Sequence, residues 1–377
     1  MSSLLDTILP ARVRSKFWRL LEFPERRRFR QQLSRLTLSP QRGKPMVNYG
    51  DALAPDSAGL VHGGRVKLLH LAEEFPEIRA DFNLLYLVSS APPKFAIELV
   101  DWAKAQGVKF VWNQNGVAYP AWYGDRGEEI NGPMRALRER ADYIFNQSAF
   151  CEACAGRFLG KVITPAEIAF NCVDMAHFRP EGEAPDTKVC QLLAAGSHHE
   201  SYRVLSVLET VAELQRRKFP VRLHLAGRLL WPGAEAEVTQ ALRDLGIAEL
   251  VQRIPAYKQE EAPAIYRSAH ILLHPKYQDP CPTVPIEAMA CGVPVIGSAS
   301  GGMPELVGDD GGTLLEVPQS WEKNYWPAAT AMADAVQMIM TLWPSYRASA
   351  RVRAVTRFSK ENWLAQHRRV FEMLAAA

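Results

Sequence analysis

The sequence predicts an α/β protein of two domains, each built on a doubly wound, Rossmann-like parallel sheet. Three observations carry this expectation. Short apolar runs alternate with amphipathic helical stretches from about residue 83 onward, as strands joined by crossover helices do. Two strand-to-helix junctions fall within residues 269–312. A Pro- and acid-rich stretch, FRPEGEAPD at 178–186, divides the alternation, and 377 residues suffice for two separate cores.

Residues 1–45 form a basic amphipathic segment of their own. Their eleven Lys/Arg and three acids give +8, against +3 for the whole chain, so the rest is net acidic. Leu4, Leu5, Ile8 and Leu9 recur at helical spacing, as do Val13, Phe17, Leu20 and Leu21. Pro24 is expected to break the helix, and Phe29, Leu33 and Leu36 resume the pattern. Arginines fill the other face. Such a segment suits the interface of an anionic membrane, or packs on the first domain with its arginines in water.

The composition, 47% hydrophobic and 23% charged, is ordinary for a soluble domain. No run approaches the roughly eighteen apolar residues of a membrane span, and no signal-peptide pattern opens the chain. Six cysteines without regular spacing point to free thiols in a reducing compartment. A cytoplasmic protein, peripheral on the inner face of a membrane, is the expectation. Cys151 and Cys154 read as neighbours on a helix. No nucleic-acid partner is expected.

The first domain spans 46–182. Residues 49–60 read as loop, and His62-Gly63-Gly64 precedes a helix at 65–74. Residues 83–88 read as a strand, 95–105 as a helix and 109–112 as the next strand, left through a polar loop, Asn113 to Gly116. A helix at 135–141 and a strand at 143–146 follow, and Ser148 caps a helix through Phe158. Ligands in such sheets bind off the carboxyl ends of the strands, which places Gly63, Gly64 and Asn113 to Gly116 at one rim.

The second domain spans 183–356, and 357–377 is a closing helix. Strands are expected at 190–194, 221–226 and 250–254, with helices at 203–216, 235–245 and 262–268. Gly196 to Glu200 and Gly227-Arg228 are loops.

Residues 269–312 carry the chemistry. A buried strand at 269–273 ends in a Pro-rich loop. Thr283 is expected to cap a helix beginning near Pro285, with Glu287 in its first turn. Gly292 ends that helix, and a strand follows at 293–297. Gly301 and Gly302 precede a second helix, with Pro304 at its first position. Two helix N-termini at one sheet edge offer free N–H groups and partial positive charge, which suits a phosphate. A carboxylate beside them can accept both hydroxyls of a ribose. Diphosphate and ribose together mean a nucleotide.

Asp279 and Glu287, separated by seven residues and followed by A-C-G-V-P-V and G-G-M-P-E, resemble the donor-binding motif of family-4 retaining glycosyltransferases. That family has the GT-B fold, two Rossmann-like domains facing a cleft, and its Glu-x7-Glu pair spans the sugar and ribose ends of a nucleotide sugar. Here Asp279 is one methylene shorter than the usual Glu, and Pro282 stands where Gly is common. Asn171-Cys172-Val173-Asp174 with His177-Phe178-Arg179-Pro180 is similar to the segment that ends the family's first domain. The resemblance covers residues 47–377 and implies that the closing helix crosses back onto the first domain.

The resemblance implies a glycosyltransferase that moves a sugar from a nucleotide-diphosphate sugar to a hydroxyl of a glycan or lipid-linked acceptor, as in cell-surface polysaccharide synthesis. It implies catalytic roles for Asp279, Arg203 and Asn115. Arg203 lies near the family's phosphate-binding cation. Ser197 replaces another, for which His198, His199 or Arg228 can substitute. Asn115 falls where relatives place a His at the transferred sugar. Glu287 would hold the ribose, and Gly63 and Gly64 would approach the phosphates. Cys281, Thr283, Gly301, Gly302, Met303 and Glu305 would line the donor, with the base at backbone groups near Ile254. No Asp-x-Asp occurs, so neither metal nor other cofactor is expected, and helix N-termini and basic side chains must stabilise the leaving diphosphate. Two rivals share the scaffold: a nucleotide-sugar-binding protein with impaired catalysis, and a nucleotide-sugar epimerase.

Overall fold

The structure is a computed structural model that describes residues 11–50 and 64–377, with side chains from Glu22 to Gly50 and from Val66 onward. The chain forms two units. The first holds the residues up to Phe170 together with Ser320–Lys323 and Trp363–Ala377, and the second holds Asn171–Gln319 and Asn324–Asn362.

In the first unit five parallel strands lie in the order β1-β2-β3-β4-β5. They are β1 (Val47–Asn48), β2 (Leu84–Val88), β3 (Lys109–Gln114), β4 (Tyr143–Asn146) and β5 (Ala166–Ile168). Every residue of β2 is buried, as a strand covered on both faces requires. One face packs Leu85, Leu87, Phe110, Trp112 and Ile144 against Val100 and Ala103 of helix Ala96–Ala105.

The other face meets helix Lys360–Ala376, where Phe145 stacks on His367 with ring centroids 4.1 Å apart. A directed chain of hydrogen bonds threads this layer. Lys67 Nζ donates to Asn113 Oδ1 (3.1 Å), and Asn113 Nδ2 donates to the Tyr86 hydroxyl (2.8 Å). His367 Nδ1 donates to the Trp363 carbonyl (2.8 Å), so its Nε2 accepts from Tyr86 (3.1 Å). Burial, with a smaller contribution from Lys67, pushes His367 down to about 3, so the ring is neutral and able to accept.

Three expectations for this unit are corrected. Helix Ala11–Leu33 runs straight through Pro24, where a break was expected. Tertiary contacts offset the missing N–H: Arg26 and Arg30 both reach the Glu98 carboxylate, and Phe29 packs on Phe95 at 5.6 Å. The polar loop expected from Asn113 is strand as far as Gln114, because both amides are satisfied inside the sheet layer; Trp112 Nε1 donates to Gln114 Oε1 (2.8 Å). The helix expected at 135–141 is Gly127–Arg138, with Pro133 inside it. Ser148 caps helix Ala149–Phe158 as read, accepting from Cys151 N at 3.0 Å.

Residues beyond helix Ala11–Leu33 continue against this unit. Asn83 Nδ2 donates to the carbonyls of Gln41 and Lys44, and Gly43 N donates to the Ala375 carbonyl. Trp321 packs on Tyr119 and Phe158 at 5.3 and 5.2 Å. Among the described residues no helix is long and apolar enough to cross a membrane.

The second unit has six parallel strands in the order β11-β10-β9-β6-β7-β8. They are β6 (Cys190–Ala195), β7 (Val221–Ala226), β8 (Val251–Ile254), β9 (Ile271–His274), β10 (Val295–Ser298) and β11 (Gly312–Leu315). Its core joins Leu192, Leu223, Ile271 and Ile296 to Val204 and Val207 of helix Tyr202–Arg216 and to Val336 and Ile339 of helix Ala329–Thr341. Each such fully buried aliphatic side chain contributes roughly 1.5–3 kcal/mol. The order reverses between β6 and β9, and a topological switch point of this kind is where such sheets bind ligands. Helices Ala329–Thr341 and Trp343–Phe358, and the short strands β1, β5 and β11, were not read from the sequence.

Candidate functional site

On the β6 side of the switch point the loops after β6 and β7 run side by side. Gly227 has φ +105°, and a Cβ there would lie 2.0 Å from the Gly196 carbonyl, so only glycine permits this approach. His198 N donates to the Arg228 carbonyl (2.8 Å), and His198 Nε2 bonds the Ala226 carbonyl (3.2 Å). Burial, with Arg203 second, pushes His198 down to about 3. It therefore carries no charge at neutral pH, which removes it as a substitute for the cation that Ser197 replaces. His199 is lowered too, by burial and then by Arg203, Lys276 and Arg228. Arg203 is the second residue of helix Tyr202–Arg216, is buried, and donates to the Ser197 carbonyl (2.9 Å), holding the loop against the helix.

The loop leaving β9, on the other side of the switch point, carries Asp279. His274 Nε2 and Lys276 Nζ lie 3.2 and 3.0 Å from Asp279 Oδ2. Burial alone would raise this carboxyl. Lys276, then His274 and Arg203, outweigh it and hold Asp279 well below the usual carboxylate range. His274 is lowered by burial despite Asp279, so it donates as a neutral ring and Lys276 supplies the counter-charge. Sequence reading gave neither His274, the last residue of β9, nor Lys276 a role; the only available signal was their place within five residues of Asp279.

Two helices start beside this loop, as expected, although their first turns differ from the reading. Helix Thr283–Ala290 is preceded by Pro282 in extended conformation, so Thr283 is its first residue and makes no side-chain cap. Glu287 consequently falls in the second turn. The second helix, Met303–Val307, starts one residue before Pro304 and carries Glu305 in its first turn. Gly301 has φ +65°, and a Cβ there would lie 2.5 Å from the Asp279 carbonyl. Gly302 N donates to that carbonyl (2.8 Å), Met303 N to Ser300 O (3.3 Å), and Asn171 Nδ2 to the Cys281 carbonyl (2.6 Å). These contacts bind the Asp279 loop to the Gly-Gly turn and fix where both helix N-termini lie.

Glu287 is buried and doubly held. Tyr266 donates to Oε2 at 2.6 Å and Gln259 to Oε1 at 2.7 Å. Burial raises its pKa, and the Tyr266 and Gln259 hydrogen bonds oppose that. Tyr257 stands close enough to feel the same charge. Ile254 ends β8, and its carbonyl already accepts from Gly227 N (3.0 Å). Tyr266 and Gln259 were also missed, because they reach Glu287 from helix Ala262–Arg267 and the loop before it, and no local pattern announces that.

Of the sequence-predicted residues, Arg203, Arg228, Ile254, Asp279, Cys281, Thr283, Glu287, Gly301, Gly302, Met303 and Glu305 all belong to the second unit, and Asn115 and Gly64 to the first. Asn115 N donates to Ser89 Oγ (2.8 Å) and Nδ2 to Ser90 Oγ (2.6 Å), while Lys67 Nζ approaches Oδ1 at 3.4 Å. Gly64 opens helix Gly64–Glu74, and Gly63 lies outside the described residues.

The two α/β units with parallel sheets have known counterparts in fold. Sucrose-phosphate synthase from Thermosynechococcus elongatus superposes with TM-score 0.66 at 20% identity, over 86% of this chain and 82% of its own. Anabaena HepE in complex with UDP-glucose superposes with TM-score 0.63 at 15% identity, over 82% of this chain and 81% of its own. The fold is GT-B. Within this GT-B chain, residues 178–339 match the family described as glycosyl transferases group 1.

Among curated relatives, a D-inositol 3-phosphate glycosyltransferase of Segniliparus rotundus is 34% identical over 127 residues, 33% of this chain and 28% of that protein. The protein of the same name from Mycobacteroides abscessus is 43% identical over 72 residues, 19% of this chain and 16% of its own. The GT-B chain thus aligns with less than a third of the length of these relatives.

Proposed function

We propose that this chain is a metal-independent, retaining glycosyltransferase of the family-4 type. It moves a sugar from a nucleotide-diphosphate sugar to a hydroxyl of a glycan or lipid-linked acceptor in cell-surface polysaccharide synthesis. The observation that carries the reading is the pair of buried carboxylates, Asp279 and Glu287, at the strand-to-helix junction that leaves β9 beside the switch point. The match to glycosyl transferases group 1 over the same region supports it.

In this reading the diphosphate lies against the N-termini of helices Thr283–Ala290 and Met303–Val307, with Arg203 as counter-cation and Lys276 and Arg228 nearby. Glu287 accepts the ribose hydroxyls through its remaining lone pairs. Asp279, kept ionised by Lys276, faces the sugar end. The bond from the anomeric carbon to the diphosphate oxygen breaks, and the acceptor oxygen bonds to that carbon from the same face. The acceptor proton passes to the departing diphosphate, so no protein base is required. Arg203 stabilises the charge that develops on that oxygen.

The segment 1–45 would hold the enzyme at an anionic membrane on the cytoplasmic side. Phe23 and Leu36 are 61% and 55% exposed, with exposed Arg27, Arg28 and Arg35 along the same segment, which suits that role.

The test is turnover of UDP- and GDP-sugars with and without a chelator, followed by NMR of the product anomer. Retained configuration with chelator-insensitive release of nucleotide is expected. An inverted product, or activity abolished by chelator, rejects the mechanism.

A further inference from the structure

We propose that Asn146 binds a hydroxyl of the acceptor, a carbohydrate or polyol, at the carboxyl edge of the first unit's sheet. Asn146 is the last residue of β4 and pairs in register with Gln114 of β3. Its side chain is 1% exposed, yet neither Nδ2 nor Oδ1 has a hydrogen-bond partner among the described residues. The neighbouring amides are all engaged. Asn113 lies between Lys67 and Tyr86, Gln114 accepts from Trp112, and Asn131 donates to and accepts from the Ala118 backbone at 2.8 and 2.9 Å. Among the described residues Asn146 is the one buried side-chain amide left open on both atoms.

Leaving a buried donor or acceptor unmade costs the group its hydration with nothing in return, so folded chains rarely keep both without a use for them. The strand end is where parallel sheets take ligands. The chemistry of the amide selects the class. Its N–H would suit a phosphate or carboxylate, but its carbonyl oxygen beside it would repel either. A hydroxyl both donates and accepts, and answers both halves of the amide. Naming the ligand as an acceptor rests on the glycosyltransferase reading; the hydroxyl chemistry does not.

The experiment is saturation-transfer NMR on the full chain with methyl α-D-glucopyranoside and myo-inositol as probes. UDP in a separate sample reports on the nucleotide site. Asn146→Leu keeps the shape and removes the unpaired amide. It is expected to hold or raise the melting temperature, to cut transfer to at least one probe threefold or more, and to leave the UDP signal unchanged. Unaltered probe signals in Asn146→Leu, or no transfer to either probe in the unsubstituted chain, overturn the proposal. If Asn146→Leu lowers the melting temperature, Asn146→Ser decides, since it keeps one donor and one acceptor: retained transfer supports the site and complete loss overturns it. Probe behaviour as expected without any UDP signal would reject the glycosyltransferase reading and leave the hydroxyl site standing.

Discussion

Tyr266 donates its phenolic hydrogen to Glu287 Oε2 at 2.6 Å inside the second unit, where both side chains are buried. The bond holds the carboxylate from below while each oxygen keeps a lone pair for a ligand. Burial raises the Glu287 pKa, so the folded state binds this proton more tightly than the unfolded chain does. Stability from this group is therefore present at low pH and declines as pH rises above the ordinary glutamate value. Glu287→Gln is expected to keep the melting temperature at pH 7 unchanged or higher. Affinity for the cognate nucleotide should fall tenfold or more, since charge-assisted hydrogen bonds contribute about 1.5–3 kcal/mol each. Titration calorimetry beside a thermal melt checks both, and undiminished affinity would remove Glu287 from the ribose.

Lys276→Met should leave Asp279 buried without its ammonium. The Lys276 side chain is 18% exposed and His274 still donates, so the expected cost is about 1–3 kcal/mol at pH 7, below that of a fully buried broken pair. Asp279 is held below its ordinary pKa, so its contribution is present above the unfolded aspartate value and is lost as pH falls through the folded one. Urea unfolding should show the difference from the parent chain at pH 7 and its shrinkage below about pH 3. A difference that grows on acidification would contradict the pairing.

His367 in the first unit and His198 in the second are both pushed down to about 3 by burial. For each ring the unfolded chain binds a proton that the folded chain does not, between about pH 6.5 and that value. Stability should fall as pH drops through this window, by up to about 1.4 kcal/mol per pH unit for each ring. His367→Phe should flatten the first unit's share of that slope. It should also cost about 1–3 kcal/mol at pH 7, because the Tyr86 hydroxyl loses its acceptor. Denaturant midpoints at pH 7 and 5 measure both, and an unchanged slope would mean that the ring is not buried neutral.

Gly301→Ala combines a Cβ placed 2.5 Å from the Asp279 carbonyl with a φ of +65°. Backbone strain of this kind costs about 1–3 kcal/mol before any clash is counted. We expect a lower melting temperature together with weakened nucleotide binding, because the turn and the Asp279 loop move as one. Gly233→Ala, also at positive φ but with open space around it, is the control and should affect stability alone.

Charge reversal at Arg27, Arg28 and Arg35, all exposed, should reduce co-sedimentation with anionic vesicles while leaving the melting temperature within a few degrees. Each basic residue near such a surface adds about 1 kcal/mol of attraction, and salt must weaken the binding. No vesicle binding, or binding that salt and charge reversal leave unchanged, would leave the electrostatic membrane role of this segment without support.

Much of this protein is decided locally, and the sequence by itself determined it. Short apolar runs mark β2, β4, β6, β7 and β9, Ser148 marks a helix start, and the spacing from Asp279 through the Gly301-Gly302 turn marks two strand-to-helix junctions. These depend on neighbours a few residues apart, where backbone preference and side-chain period act directly. The tertiary structure alone decided the strand order, and with it the reversal between β6 and β9 that sets the Gly196 loop beside the Asp279 loop. It alone supplied Lys276 and His274 to Asp279, and Tyr266 and Gln259 to Glu287. It also carried a helix through Pro24 and made Gln114 strand rather than loop. The reason is physical: a periodic pattern says which face of an element is apolar but not which element will cover it. Buried polar partners are chosen by that covering, through contacts between segments far apart in the chain.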